Sequence, residues 1–552
     1  MRWFVLWFAL FTTACEGVDP DPDPDPTPAP DPGPELVVCE EPVPEAPAGE
    51  VCGVSGTPGA TELRVRGDVL ADGVVYVGGT VTVSGASISC VGCDCPAAGE
   101  ALEVSCRDAV VSPGLINAHD HITFSMAGPL DWGTERFDDR HDYRVGNAHT
   151  NLGVTSASSP EAVTWVEARQ LLAGVTSLVG SGSAPGVVRN LDRSAQTLGL
   201  DFGAVRLEAF PLGDSDGRRA VEGCTTYSAD PVDFDSLAAY VTHAGVGINP
   251  SAANALRCTL GIGEGAVDQT SEKTAIVHGI AVSSAEVAEI AAAGASLVWS
   301  PRSDLALFGD TAPVTLYDAL EVPIALGTDW SATGSATMLR ELACADSFDT
   351  AYLDDHFTDE ALWRMATANA ADAAGAGAVV GRLAEGYAAD LVVFAARGRE
   401  AHRAVIEADV PDVQLVLRGG TVMTGDADLV QALRADAGTA CEALDACVAD
   451  HLVCLDGDFS LAELRAALTD PYDLAICGVP PGEPTCVPSR AEADTPTYPG
   501  SDTTDGDNVD GDDCPSVFNP IRPMDDGVQA DGDADGAGDV CDPCPLDAED
   551  GC

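Results

Sequence analysis

The stretch Ser112-Pro113-Gly114-Leu115-Ile116-Asn117-Ala118-His119-Asp120-His121 follows a β-rich segment and closes a short apolar run with a His-x-His pair. Side-chain direction on a strand repeats every two residues, so both imidazoles share a face and can reach one metal ion. Downstream, short apolar runs recur at VTSLVG, GAVRLEAF, YVTHAG, AIVHG, SLVWSP and PIALGTDW. Between them lie amphipathic stretches such as 161–172 and 284–293. Strands alternating with helix-sized gaps predict an α/β fold with parallel strands and crossover helices. Seven strand ends are readable across 113–380. A (β/α)8 barrel needs an eighth, which is expected within 211–240.

Outward from this centre, LRVRG and VVYVGGTVTVSG lie upstream, and DLVVF (390–394) and VQLVLRGGTVMT (413–424) lie downstream. None of these runs closes a sheet alone, so one small β-sandwich built from 36–112 and 381–425 is expected. Residues 426–491 read as a helical, Cys-bearing appendage whose Cys441, Cys447 and Cys454 pair with their surroundings or with Cys477 and Cys486. At 492–552 the composition turns to Asp, Gly, Thr and Pro, which predicts a separate module that needs metal or disulfides to fold. At the other end, Arg2, an apolar run from Trp3 to Phe11 and Thr12-Thr13-Ala14-Cys15 have the order of a secretory signal over 1–15. The Asp/Pro alternation that follows makes 16–35 a stiff, self-repelling spacer.

The chain of 552 residues carries 89 acidic and 27 basic side chains, a net charge of -62. Such a surface repels nucleic acid phosphates, so nucleic-acid binding is excluded. Setting Cys15 aside leaves an even number of the 19 cysteines. In an exported chain these are expected to form disulfides, and for Cys90, Cys93 and Cys95 this is favoured over a zinc knuckle. Lys273 is the only lysine in the sequence.

Taken in order, the His-x-His pair, AGVTSLV, His243 in YVTH, His278 in IVHG, WSPRSDLALFG and Asp329 in GTDW resemble the amidohydrolase superfamily across roughly 63–424. The resemblance implies a divalent metal, zinc first with iron or manganese as alternatives, held by His119, His121, His243 and Asp329. It implies that His278 touches metal or substrate and that Asp329 takes a proton from the attacking water. Some members hold two metals through a carboxylated lysine. Lys273 is misplaced for that role, so one ion is expected, with Glu208 either a bridging carboxylate or a helix-cap or salt-bridge residue. In the deaminases of this superfamily a glutamate follows the third histidine by three residues, whereas Val246 stands here and cannot move protons. Metal-assisted hydrolysis of a carbon-nitrogen bond in a small amide, amidine or aryl amine is therefore expected, with nucleobase deamination in doubt. Asp304 stands where the family often has an amide, which disfavours anionic substrates.

Two further resemblances concern the ends. The N-terminus resembles a bacterial lipoprotein signal, which implies lipidation of Cys15, a membrane anchor and a place in the cell envelope, on the outer membrane or in the periplasm. Asp531-x-Asp533-x-Asp535-Gly536, with Asp539 and Asp542 at later loop positions, resembles a thrombospondin type 3 repeat and implies calcium binding. Asp505, Asp507, Asp510 and Asp512 suggest a second, less regular calcium site. The alternative to an enzyme is a catalytically altered cell-surface binding or adhesion protein, with a cell-surface or matrix partner met through the calcium-binding tail.

Overall fold

A computed structural model describes residues 33–490 and 505–549, apart from 98, 147–148, 181–186, 445–449, 456–458, 508 and 510. The expected signal, Cys15 and most of the spacer lie outside the described residues, as do Cys447 and Asp510. Among the described residues no helix is long and apolar enough to cross a membrane.

Eight parallel strands surround the central core: β1 (Leu115–Asn117), β2 (Val175–Leu178), β3 (Arg189–Asn190), β4 (Ala204–Glu208), β5 (Leu237–Ala244), β6 (Thr274–His278), β7 (Ser296–Trp299) and β8 (Ile324–Leu326). Ladders join β1 to β3 and β4 to β8. The ends of β8 and β1 meet where Ala118 N donates to Leu326 O at 3.1 Å and Asp329 N donates to His119 O at 3.1 Å, while no ladder joins β3 to β4 among the described residues. Alternation along the strands sends Val241, Ala275, Val277, Val298 and Ala325 to the barrel interior. Ile276, Leu297, Trp299 and Leu326 face the outer helical layer. The eighth strand is Arg189–Asn190, not a segment of 211–240. It has no apolar signature because its side chains are held by buried acids: Arg189 pairs with Asp390 at 2.7 Å, and Asn190 Nδ2 donates to Glu167 Oε1 at 3.1 Å. Residues 211–236 are instead a connection leading into β5, tied by the Cys224–Cys258 disulfide to the helix Pro250–Thr259.

Both flanks do join, through antiparallel pairing of Ala101–Pro113 with Leu391–Ala395. With two short strands of the appendage they form one continuously hydrogen-bonded 11-stranded sheet. One face of this sheet encloses Val65, Val81, Val104, Val111, Val393 and Leu415 in a core of its own. The appendage is less helical than expected, since Glu442–Leu444 and His451–Val453 extend the same sheet. Cys441 pairs with Cys454, and Cys486 pairs with Cys344 on the helix Met338–Tyr352. Cys90 pairs with Cys95, Cys39 with Cys93 and Cys52 with Cys106, and every described cysteine is disulfide-bonded. The tail is not separate. Phe518 N donates to Tyr352 O at 2.8 Å, and the Phe518 ring packs against Phe348 and Tyr352.

Burial pushes the Glu167 carboxyl up to about 8 and that of Glu341 up to about 7. Each binds its proton more tightly folded than unfolded, so its contribution to stability is full below the ordinary carboxyl range and is lost as pH rises toward the folded value. Asp214 runs the other way. Burial would raise it, but His141 and Arg140 hold it down to about 2, so its stabilisation disappears only in strong acid. Between pH 5.5 and 8 the first effect and the net charge of -62 act together. The thermal midpoint is expected to fall by roughly 5 °C across that window at constant salt. A midpoint that is flat or rises in a calorimetric scan would contradict this account.

Candidate metal centre

Four of the nine histidines meet at the carboxyl ends of the barrel strands. His119 and His121 lie just beyond β1, His243 near the end of β5, His278 at the end of β6, and Asp329 beyond β8. Ring centroids are 4.7 Å apart for His119 and His121, 4.6 Å for His119 and His243, and 5.4 Å for His243 and His278. Asp329 Oδ1 stands 3.3 Å from His119 Nε2 and 3.4 Å from His121 Nε2. His119 belongs to two overlapping donor sets, one with His243 and His278 and the other with His121 and Asp329.

The backbone makes this convergence possible. Ala275 and Val277 face the barrel interior and Ile276 faces outward, so regular pleating would turn His278 outward too. His278 instead takes a left-handed conformation, φ 71°, and Asp329 does the same at φ 59°. Such positions in non-glycine residues cost about 1–3 kcal/mol and persist where the surroundings over-determine them. Gly327 is required for a different reason: a Cβ there would come within 2.8 Å of His119 N, so only glycine lets β8 approach this close.

The donor set fits a metal ion. Both ring nitrogens of the fully buried His119 and Nδ1 of His243 lack hydrogen-bond partners. Burying unsatisfied imidazoles is costly, and a cation would satisfy them. Burial holds His119 below its ordinary range, brings His121 down to about 4 with help from His119, and holds His243 well below the ordinary value. These imidazoles are therefore neutral near pH 7, the form whose lone pairs bind metal. Burial would raise Asp329, but contact with His119 and the fields of His121 and His278 outweigh it and hold the carboxyl below the usual range. Imidazole and carboxylate donors in this number suit zinc and its first-row neighbours.

A second layer fixes the first. His278 Nδ1 is 2.8 Å from Asp304 Oδ1, whose other oxygen accepts from Thr311 Oγ at 3.1 Å. Burial lowers His278, but Asp304 outweighs it and keeps the imidazole above its ordinary range. Ser303 Oγ donates to Asp329 Oδ2 at 2.6 Å. Asn117 Oδ1 accepts from Thr328 N at 3.1 Å, while its Nδ2 donates to Asp120 Oδ2 at 3.0 Å, which joins the ends of β1 and β8. Thr311, Asn117, Thr328 and Asp120 were not singled out from the sequence. The available signal was a run of polar residues, Asn117 through His121, directly after an apolar strand.

The walls are apolar on one side and charged on another. His121 faces Phe124 and Trp330 at 6.2 and 6.0 Å between centroids. Val246 is buried in a cluster with Phe137, Tyr143, Ile280 and Phe308. On the helix Arg140–Val145, Arg140 and His141 share the buried carboxylate of Asp214. Together with His243 and Val246 they line a small cavity.

Other expected site residues lie elsewhere. Glu208 is engaged by Arg206 at 2.9 Å and by Phe210 N at 3.2 Å, which is the salt-bridge role rather than a bridging ligand's. Lys273 Nζ donates to Phe234 O and Leu237 O, at the end of β5 opposite His243. In the tail, Asp531, Asp533 and Asp535 gather their carboxylates, and so do Asp505, Asp507 and Asp512. Asp539 and Asp542 do not join the first group: Asp539 accepts from Gly532 N at 2.7 Å and Asp542 from Cys544 N at 2.7 Å.

Residues 239–425 match the model of the amidohydrolase family. A 5-methylthioadenosine/S-adenosylhomocysteine deaminase of Pyrococcus abyssi is 33% identical over 157 residues, 28% of this chain and 36% of that protein. Its counterpart from Haloquadratum walsbyi is 35% identical over 130 residues, 23% of this chain and 29% of that protein. The matched portion thus spans about a third of the length of these curated relatives. Among solved structures, the atrazine chlorohydrolase of Arthrobacter aurescens TC1 complexed with zinc is 21% identical, covers 65% of this chain and 95% of its own, and has a TM-score of 0.49. The matched stretch 239–425 is the one that carries four of the barrel strands with His243, His278 and Asp329.

Proposed function

We propose that this chain is an exported, metal-dependent hydrolase that cleaves carbon-nitrogen bonds other than peptide bonds in small molecules, with one divalent cation, zinc by preference. The convergence of four imidazoles and Asp329 at the carboxyl ends of parallel strands carries the reading. His119, His121, His243 and Asp329 would hold the cation, which when bound supplies Lewis acidity and a water of lowered pKa. Asp329 Oδ2, oriented by Ser303, is placed to accept a proton from the attacking water. His278, oriented by its 2.8 Å hydrogen bond to Asp304, would hydrogen-bond the substrate or return a proton to the leaving nitrogen. The Phe124–Trp330 wall and the apolar surroundings of Val246 favour a neutral, flat or apolar substrate over an anion.

The pairing of every described cysteine supports export to an oxidising compartment. Lipidation of Cys15 and anchoring in the cell envelope complete the proposal. The Asp531 and Asp505 clusters are proposed as calcium sites that brace the tail. Chelation with EGTA is expected to expose the tail to limited proteolysis, and added calcium but not added zinc to restore its protection. A tail that stays equally protected in EGTA and in calcium would remove calcium from the proposal.

The test of the enzyme reading is metal analysis of the full chain followed by turnover of a panel of amides, amidines and heterocyclic amines. One zinc per chain with turnover that disappears in His119→Ala is the expected result. A barrel with no tightly held transition metal would instead favour the rival reading, a surface binding or adhesion protein displaying an altered enzyme fold.

A further inference from the structure

We propose that Arg522, contributed by the C-terminal tail, is a positioning residue for His278; this rests on the role given to His278 above. The turn after β6 carries His278 in its left-handed conformation and continues through Gly279, also left-handed at φ 57°. Ile280 N and Ala281 N donate to Gly245 O at 3.0 and 3.1 Å, which ties the turn to the end of β5. The carbonyls of the turn are tied too. Tyr317 Oη donates to Gly279 O at 2.9 Å, while Arg522 donates from Nη1 to Ile280 O and from Nη2 to Val282 O, both at 3.0 Å.

The same guanidinium is held from behind by Asp525, whose two oxygens accept from Arg522 Nε and Nη2 at 3.0 Å each. It also lines a cavity with Asp310 and Thr311. Asp310 is buried, and its Oδ2 lacks a hydrogen-bond partner. Thr311 is the residue that holds Asp304, and Asp304 holds the His278 ring. One tail side chain therefore grips the turn that carries the His278 backbone and faces the loop that fixes the His278 imidazole. A charged donor on two carbonyls makes stronger bonds than a neutral one, and the bidentate hold of Asp525 fixes its direction. The tail is in this sense part of the site, though it lies more than 190 residues downstream of Asp329 in sequence.

The experiment uses the full chain with Arg522→Met, which keeps the apolar stem, Arg522→Lys, which keeps the charge, and Phe518→Ala, which loosens tail docking but leaves the guanidinium. Amide hydrogen exchange is read over peptides spanning 274–284 and 115–121, and cobalt(II) is loaded as the metal probe. In Arg522→Met, exchange at 279–283 is expected to rise at least about tenfold with 115–121 unchanged. Cobalt stoichiometry and its visible d–d spectrum should hold, since the four metal-holding side chains are untouched. On a substrate found in the panel, kcat should fall about 10- to 100-fold with KM little altered. Arg522→Lys should recover part of each change. Unchanged exchange or unchanged kcat in Arg522→Met would overturn the proposal, as would equal changes in Phe518→Ala, since docking as a whole would then set His278. If the parent chain binds no cobalt, the enzyme reading fails, and the exchange measurement still decides whether Arg522 holds the turn.

Discussion

His119→Ala is expected to purify as a folded protein that carries no stoichiometric zinc and shows no turnover. His119 is the one imidazole shared by both donor sets, so its loss breaks each of them at once. Changing a partner of a ligand typically costs 10- to 100-fold in metal affinity, and removing a central ligand costs more than about 100-fold. The fold should survive, because Gly327 packs against the His119 backbone and the β1–β8 junction is made by main-chain bonds. Elemental analysis after dialysis and a thermal scan check both halves. A His119→Ala protein with one tightly held zinc would place the metal elsewhere.

Asp329→Asn should separate proton transfer from fold. The substitution keeps the size of the side chain and an oxygen toward Ser303, but removes the charge and most of the basicity. A positioned general base contributes about 10²- to 10⁴-fold, so kcat should fall by that amount at pH 7. Lowering of zinc occupancy is expected as well, because Asp329 Oδ1 lies beside two of the imidazoles. Rates are therefore compared per bound zinc. More than a tenth of the parent kcat in Asp329→Asn would show that another group accepts the proton.

The parts of the site visible in the sequence were those where a chemically distinctive side chain ends an apolar run. His119, His121, His243, His278 and Asp329 each do so, and strand ends of a parallel barrel converge by topology. The eighth strand was hidden because it is two residues long and polar, its burial made possible by Asp390 and Glu167 from distant segments. Cysteine pairing was only partly legible. Cys441 meets Cys454 across a short connection, whereas the 142-residue span from Cys344 to Cys486 follows from how the appendage lies on the barrel. The docking of the tail was invisible for a related reason. Its composition is that of a solvated acidic segment, and the contact depends on a few side chains, chiefly Phe518 and Arg522. Local periodicity carries no information about such partners.

The Cys344–Cys486 bridge also constrains the order in which this chain can be assembled. In a polypeptide that emerges N-terminus first, the bridge cannot close until residue 486 is out. By then all eight barrel strands have emerged and can have closed their ring. The appendage thus acts as a late clasp: Glu483 slots between Arg302 and Arg340, and Arg490 caps Phe137 O and Phe308 O, only on a barrel already in shape.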